Sequence, residues 1–166
     1  MLTIQAAVPE DLDTVWALVQ RATAHMNTLG NPQWGDDYPT RQLYAGDIDR
    51  GELAAARLDG VLAGVACLNL EQAPAYASLP WRTDPRALVI HRMAVDPCFQ
   101  SRGIARALFH HAEEYARRQG LSALRLDTYS KNDRMQRLLL SLGFRLVGQM
   151  RTPDRPLPFP CFEKSL

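Results

Sequence analysis

Val95-Asp96-Pro97-Cys98-Phe99-Gln100-Ser101-Arg102-Gly103-Ile104-Ala105-Arg106 joins the end of a strand-like run to the start of a helix. Upstream, Ala87 to Val95 reads as a strand that stops at Asp96-Pro97. Downstream, Ile104, Leu108, His111, Ala112 and Tyr115 share one face of a helix from Gly103 to Gln119, with Gly120 as its C-cap. The first turn of such a helix has backbone N–H groups without partners and carries partial positive charge. It is a ready-made seat for a pyrophosphate. Gly103 lets a phosphate approach with no Cβ in the way, and Ala105 does so less permissively. Arg102 and Arg106 add full charges. A Q/R-x-x-G-x-G/A pattern arises by chance in roughly one chain of this length in six. An ordinary helix-start glycine with solvated arginines is therefore the competing reading. The position at a strand-to-helix transition favours the anion site.

Working outward, Leu2 to Ala7 reads as a first strand. Pro9 and Glu10 open a helix whose apolar positions Leu12, Val15, Trp16, Val19, Ala22 and Met26 recur at helical spacing. Gly30 with Asn31-Pro32 ends it, and a short helix is predicted from about Thr40 to Arg50. Leu53–Leu58 and Val61–Leu70 flank Asp59-Gly60, a strong hairpin signal. Ala73 to Pro85 is a Pro-containing excursion with Tyr76 and Trp81. After the central helix come a strand (Leu124–Thr128), a helix (Asn132–Leu142, closed by Gly143) and strands at Phe144–Met150 and Pro160–Lys164. The order β-α-α-β-β-β-α-β-α-β-β predicts an α/β (α+β) fold with a mixed sheet covered by helices on both faces.

The 166 residues suit a single domain, 1–166. A net charge of +1 gives no global electrostatic case for nucleic acid or an anionic membrane. Arg117, Arg118, Arg125, Arg134 and Arg137 are interspersed with acids. No apolar run approaches the roughly 20 residues that span a bilayer. Met1–Gln5 has no basic stretch before an apolar core, so no signal peptide is expected. Cys67, Cys98 and Cys161 are far apart and odd in number, which suits free thiols and a cytoplasmic location. No metal-ligand cluster is evident in the sequence, so no metal is expected.

Three ordered blocks now coincide: Val89-Ile90-His91-Arg92-Met93-Ala94-Val95-Asp96-Pro97; the Gln100 to Ala105 turn with its helix; and Leu124-Arg125-Leu126-Asp127-Thr128, then Asn132, then Leu142-Gly143-Phe144. In spacing and order the chain resembles the GNAT superfamily of N-acetyltransferases, most strongly over residues 87–148. The resemblance implies a central mixed sheet of about seven strands. Its parallel strands ending near Val95 and Thr128 would splay apart to form the CoA cleft. It further implies acetyl-CoA as acyl donor. The pyrophosphate would sit on Gln100, Ser101, Arg102, Gly103, Ile104, Ala105 and Arg106. The pantetheine amides would pair with the backbone of Met93, Ala94 and Val95, as a peptide adds to a strand edge. Asn132 looks like a further pantetheine ligand, although Asn is also a good helix N-cap.

Within that resemblance, acetyl transfer to an amine in a ternary complex needs a base. Asp127 is the candidate, matching a position where relatives commonly carry Glu; an edge carboxylate paired to Arg125 or Lys131 is the alternative. His91 is the second candidate base, its ordinary pKa near 6.5 suiting the task, but its alternation with Val89, Met93 and Val95 also fits a core histidine. Relatives often place a Tyr acid seven residues after the helix-start Asn, which here is Leu139. Tyr129 or a water could substitute, and a thiolate whose thiol has a pKa of about 8.5 is also a tolerable leaving group unaided. Leu139 keeps open a second class of function, a CoA-binding sensor or regulatory module. The acceptor, a small-molecule or peptide amine, is expected at loop aromatics: Trp34, Tyr38 and Trp81, with Phe159 beside them. Those aromatics plugging the ends of the core is the competing reading. A homodimer is suggested by the resemblance alone.

Overall fold

A computed structural model describes residues 1–166. β1 (Leu2–Ala6) lies antiparallel to β2 (Leu53–Leu58), with Leu2 opposite Leu58 and Ala6 opposite Ala54. Between them in sequence come a 3₁₀ turn (Pro9–Asp11), α1 (Leu12–Thr28) and α2 (Arg41–Asp49). Pro9 suits the first turn because its missing N–H has no helical partner there. Thr40 caps α2, its side-chain oxygen accepting from the Leu43 N–H at 3.2 Å. β2 returns as β3 (Val61–Asn69) through Asp59-Gly60, whose φ angles of 50° and 84° are those of a type I′ turn. Ala56 faces Gly64 while Arg57 faces Leu62, which leaves Ala63 as a bulge. The Ala63 carbonyl accepts from the Asp96 N–H at 2.8 Å.

A 3₁₀ turn at Pro74–Ser78 interrupts the excursion and is absent from the sequence reading. β4 (Leu88–Val95), α3 (Ile104–Arg118), β5 (Ala123–Asp127), α4 (Asp133–Ser141), β6 (Arg145–Met150) and β7 (Phe159–Ser165) complete the chain. The sheet is open and mixed, in the order β1-β2-β3-β4-β5-β7-β6. β4 and β5 are parallel, paired at Leu88↔Leu124 and Val89↔Arg125. β7 then inserts antiparallel between β5 and β6.

Two compact units divide the chain: Met1–Leu68 with His91–His111, and Asn69–Ile90 with Ala112–Leu166. In the first, Val15, Leu18, Val19 and Ala22 form one face of α1 at the i, i+3, i+4, i+7 spacing, packed with Tyr44, Ile48, Leu53, Val65 and Cys67. In the second, Leu124, Leu139, Tyr129 and Phe162 are fully buried. Tyr76, Val89 and Cys161 form a smaller cluster there, with Trp81 and Met150 against it.

Candidate active site

In the first unit, Asp96-Pro97 ends β4 and starts a 3₁₀ turn at Pro97–Phe99. The Asp96 carboxylate accepts from the Cys98 N–H at 2.9 Å and the Arg21 guanidinium at 2.5 Å. Burial pushes this carboxyl up, but Arg21 and the Cys98 N–H outweigh it and hold the group below the usual carboxylate range. The chain then turns through two left-handed residues, Ser101 (φ 63°) and Gly103 (φ 76°), into α3. Nothing lies within 4 Å of where a Cβ on Gly103 would stand, so backbone conformation is what calls for glycine here. Ser101, Arg102, Gly103 and Arg106 are exposed, Gln100 and Ala105 are half-buried, and Ile104 anchors the first helical turn in the core. A Cβ at Gly64 would stand 2.8 Å from the Ile104 Cγ2 and 3.1 Å from the Ala94 carbonyl oxygen. Glycine in β3 is thus what lets the start of α3 seat so closely.

β4 departs from plain alternation. Leu88, Val89, Ile90 and Ala94 are buried, whereas His91, Arg92, Met93 and Val95 are half-buried. The departure centres on Arg92, a non-glycine residue at φ 48°. Its guanidinium grips the fully buried Asp47 through Nε at 2.8 Å and Nη2 at 2.7 Å, and Nη2 reaches Cys67 Sγ at 3.4 Å. The Arg92 carbonyl accepts the Tyr44 hydroxyl at 3.1 Å. Asp47, Glu52 and Cys67 bring potential ligand atoms within 4.8 Å of one another. Two guanidiniums already compensate those carboxylates, since Arg50 donates to Asp47 at 2.9 Å and to Glu52 at 3.1 Å. Burial pushes the Cys67 thiol up to about 12, so it is not a thiolate at neutral pH.

In the second unit, Arg125 and Asp127 lie on one face of β5, two residues apart. Both engage the 72–86 excursion. Arg125 is buried, stacks over Trp81 at 4.3 Å from the ring centroid, and donates to Gln72 Oε1 at 3.0 Å and to the carbonyls of Thr83 and Asp84. Asp127 is bonded to neither Arg125 nor Lys131, the partners its bland reading called for; its Oδ2 accepts the Tyr76 hydroxyl at 2.6 Å. Burial raises the Asp127 carboxyl above its ordinary value, and the Tyr76 hydrogen bond pulls it only part of the way back. Tyr76 is buried, and its carbonyl accepts from Trp81 Nε1 at 2.7 Å. The excursion is pinned further by Glu163, whose carboxylate accepts from the Arg82 and Thr83 N–H groups and the Thr83 hydroxyl, and pairs with Arg145.

Asn132 caps α4, accepting from the Met135 N–H at 3.2 Å. Tyr129 is fully buried against Phe159, with ring centroids 4.9 Å apart, and its hydroxyl accepts from the Leu157 N–H at 3.1 Å. That arrangement gives Tyr129 a structural task in holding the segment before β7. Leu139 is fully buried, so apolar packing accounts for a leucine there. Trp34 is only 5% exposed and belongs to the core of the first unit, so it plugs the core and does not present a binding face. Tyr38 is exposed and accepts from Arg92 Nη1 at 3.5 Å. Trp81 is half-buried between Tyr76 and Arg125. Sequence reasoning missed the roles of Tyr76, Asp47 and Tyr44, because no local signal says which distant group a side chain will meet.

An open mixed sheet of this order, with a left-handed turn opening α3, is the arrangement that the comparisons with known proteins match. The chain belongs to the acetyltransferase (GNAT) family, whose model matches residues 17–144. N-alpha-acetyltransferase RimI of Mycobacterium tuberculosis is 33% identical over 123 residues, covering 74% of this chain and 68% of that protein. N-acetylaspartate synthetase of Danio rerio is 39% identical over 77 residues, 46% of this chain; the match spans only 27% of that protein. Among solved structures, a GNAT-family acetyltransferase from Streptococcus agalactiae 2603 superposes with a TM-score of 0.86 at 27% identity, covering 99% of this chain and 95% of that one. The PaiA N-acetyltransferase of Thermoplasma acidophilum, in complex with coenzyme A, shares the fold with a TM-score of 0.75 at 16% identity, covering 100% and 99%.

Proposed function

We propose that residues 1–166 act as one catalytic domain that moves an acetyl group from acetyl-CoA directly to an α-amine, with Asp127 as general base. The observation that carries this reading is Asp127 itself, a carboxylate raised by burial at the end of β5 and held by the Tyr76 hydroxyl. The family match runs through both compact units, which supports a single working domain. The RimI relative is named an N-alpha-acetyltransferase and the other relative is named for N-acetylaspartate, an N-acetylated amino acid, which supports that acceptor class. Physical chemistry agrees. The α-amine of a peptide N-terminus has a pKa near 7.7–8.0, against about 10.4 for lysine, so a carboxylate has far less work in taking its proton.

Gln100 to Arg106 suits the donor's pyrophosphate. The turn is exposed around Gly103, and a helix start and two arginines supply positive charge. Met93, Ala94 and Val95 would meet the pantetheine arm through backbone groups, and Asn132 would add a side-chain contact while remaining the cap of α4. In the transfer, the amine nitrogen attacks the acetyl carbonyl carbon; a C–N bond forms and the C–S bond breaks. The amine proton passes to Asp127, directly or through one water. CoA leaves as a thiolate with a pKa near 8.5, which a water can protonate without a dedicated acid. His91 remains the second base candidate, on β4. Tyr38 and Trp81 would contribute to acceptor binding. A CoA-binding regulatory module is the second reading, favoured by the buried Leu139 in place of an acid.

Thiol release from acetyl-CoA across a panel of amino acids and short peptides tests the assignment. Asp127→Asn is expected to cut kcat by about 10²- to 10⁴-fold with acetyl-CoA affinity unchanged. Equal turnover in wild type and Asp127→Asn would remove Asp127 as base. Tight acetyl-CoA binding with no turnover on any amine would favour the regulatory module.

A further inference from the structure

Arg92 sits in the middle of β4 at φ 48°, where an L side chain is disfavoured and a strand normally cannot run. Contacts to Tyr44, Asp47 and Cys67, all within the first unit, hold it there beside the longer one to Tyr38. The Tyr44 hydroxyl donates to its carbonyl at 3.1 Å. The Asp47 carboxylate takes Nε and Nη2 in a bidentate pair at 2.8 and 2.7 Å. Cys67 Sγ lies 3.4 Å from Nη2. Tyr44 and Asp47 are both fully buried in α2. Four residues on, a second fixed point follows, where the Asp96 N–H bonds the Ala63 carbonyl and the Asp96 carboxylate holds Arg21. Met93, Ala94 and Val95 lie between these two anchors.

We infer that Asp47 and Tyr44 are positioning residues for acyl-donor binding: from α2 they clamp Arg92 in its left-handed conformation and so set how the Met93–Val95 backbone meets the donor. This rests on the reading above that those three residues receive the pantetheine arm. Neither side chain touches the donor; each acts through the backbone of Arg92.

Acetyl-CoA titration calorimetry on Arg92→Gly and Arg92→Ala, each checked for folding by circular dichroism, separates the backbone from the guanidinium. Both variants lose the same ion pair and leave Asp47 with Arg50. Only glycine adopts a left-handed φ without penalty. Arg92→Ala is expected to bind acetyl-CoA about tenfold more weakly than Arg92→Gly, the size expected of a left-handed penalty. Tyr44→Phe, which removes one donor and little volume, is expected to raise KM for acetyl-CoA with kcat nearly unchanged. Equal affinities for the glycine and alanine variants would overturn the clamp. Wild-type protein that fails to bind acetyl-CoA would overturn the donor reading on which the clamp depends, so the two failures are told apart.

Discussion

Asp127 is under two opposing influences. Burial favours its neutral form, and the Tyr76 hydroxyl, 2.6 Å away, favours the carboxylate. The other titratable groups around this pair are Cys161, which faces Asp127 across β7, and Arg125 on β5. The Cys161 thiol, pushed up to about 12 by burial and by Asp127, stays neutral, so the Tyr76 hydroxyl is the partner that opposes burial at this carboxylate. Tyr76→Phe removes that donor, and the Asp127 pKa should rise further. The acid limb of kcat/KM against pH should then move to higher pH, with activity lost more at pH 6 than at pH 9. An unmoved limb would mean that Tyr76 does not tune the base. The chain displays Asp127 and its strand plainly. Tyr76 could be seen only as an aromatic in a Pro-containing excursion, because its partner is 51 residues away.

At the scale of elements, the strand-turn-helix around Gln100–Ala105 depends on an element far from it in sequence. Gly64 in β3 leaves space for Ile104 and the Ala94 carbonyl, and a Cβ there would meet them at 2.8 and 3.1 Å. Ile104 is β-branched and buried, so it yields little. Gly64→Ala should cost about 1–3 kcal/mol by overpacking, read as a lowered urea midpoint. It should also weaken acetyl-CoA binding by displacing the first turn of α3. Loss of stability with unchanged acetyl-CoA affinity would show that the helix start tolerates the shift. The Asp59-Gly60 hairpin contrasts with this case: its type I′ geometry follows from two adjacent residues and was readable directly. The bulge at Ala63 and the left-handed Arg92 carry no such local signature, since each is stabilised by hydrogen bonds from another element.

Across the whole molecule, pH should act on stability in two directions. In the first unit Asp96, and in the second Glu163, are pushed up by burial but held below the usual range by stronger hydrogen-bonded and cationic partners. Their contribution is present above the unfolded pKa near 4 and is lost as pH falls through the lower folded values. Asp127 is the reverse case. Its folded pKa is raised, so its ionisation costs stability, and the cost is complete once pH exceeds the folded value. Asp127→Asn should therefore gain stability over wild type at pH 8 and little at pH 4 in urea titrations, while losing turnover. A pH-independent difference would contradict the raised carboxyl. No helix is long and apolar enough to cross a membrane.

By itself the sequence determined the element order, the hairpin, the turn at the start of α3, the family resemblance and the carboxylate on β5. Each of these is written in residues close together in the chain, where periodicity, turn chemistry and motif spacing act. Only the tertiary structure decided that Trp34 is core and that Tyr129 holds a loop. It alone decided that Tyr76 bonds Asp127 and that Asp47 and Tyr44 grip Arg92. Those outcomes turn on which side chains burial brings together across tens of residues, and on which hydrogen bonds must then be made because water is no longer there to make them.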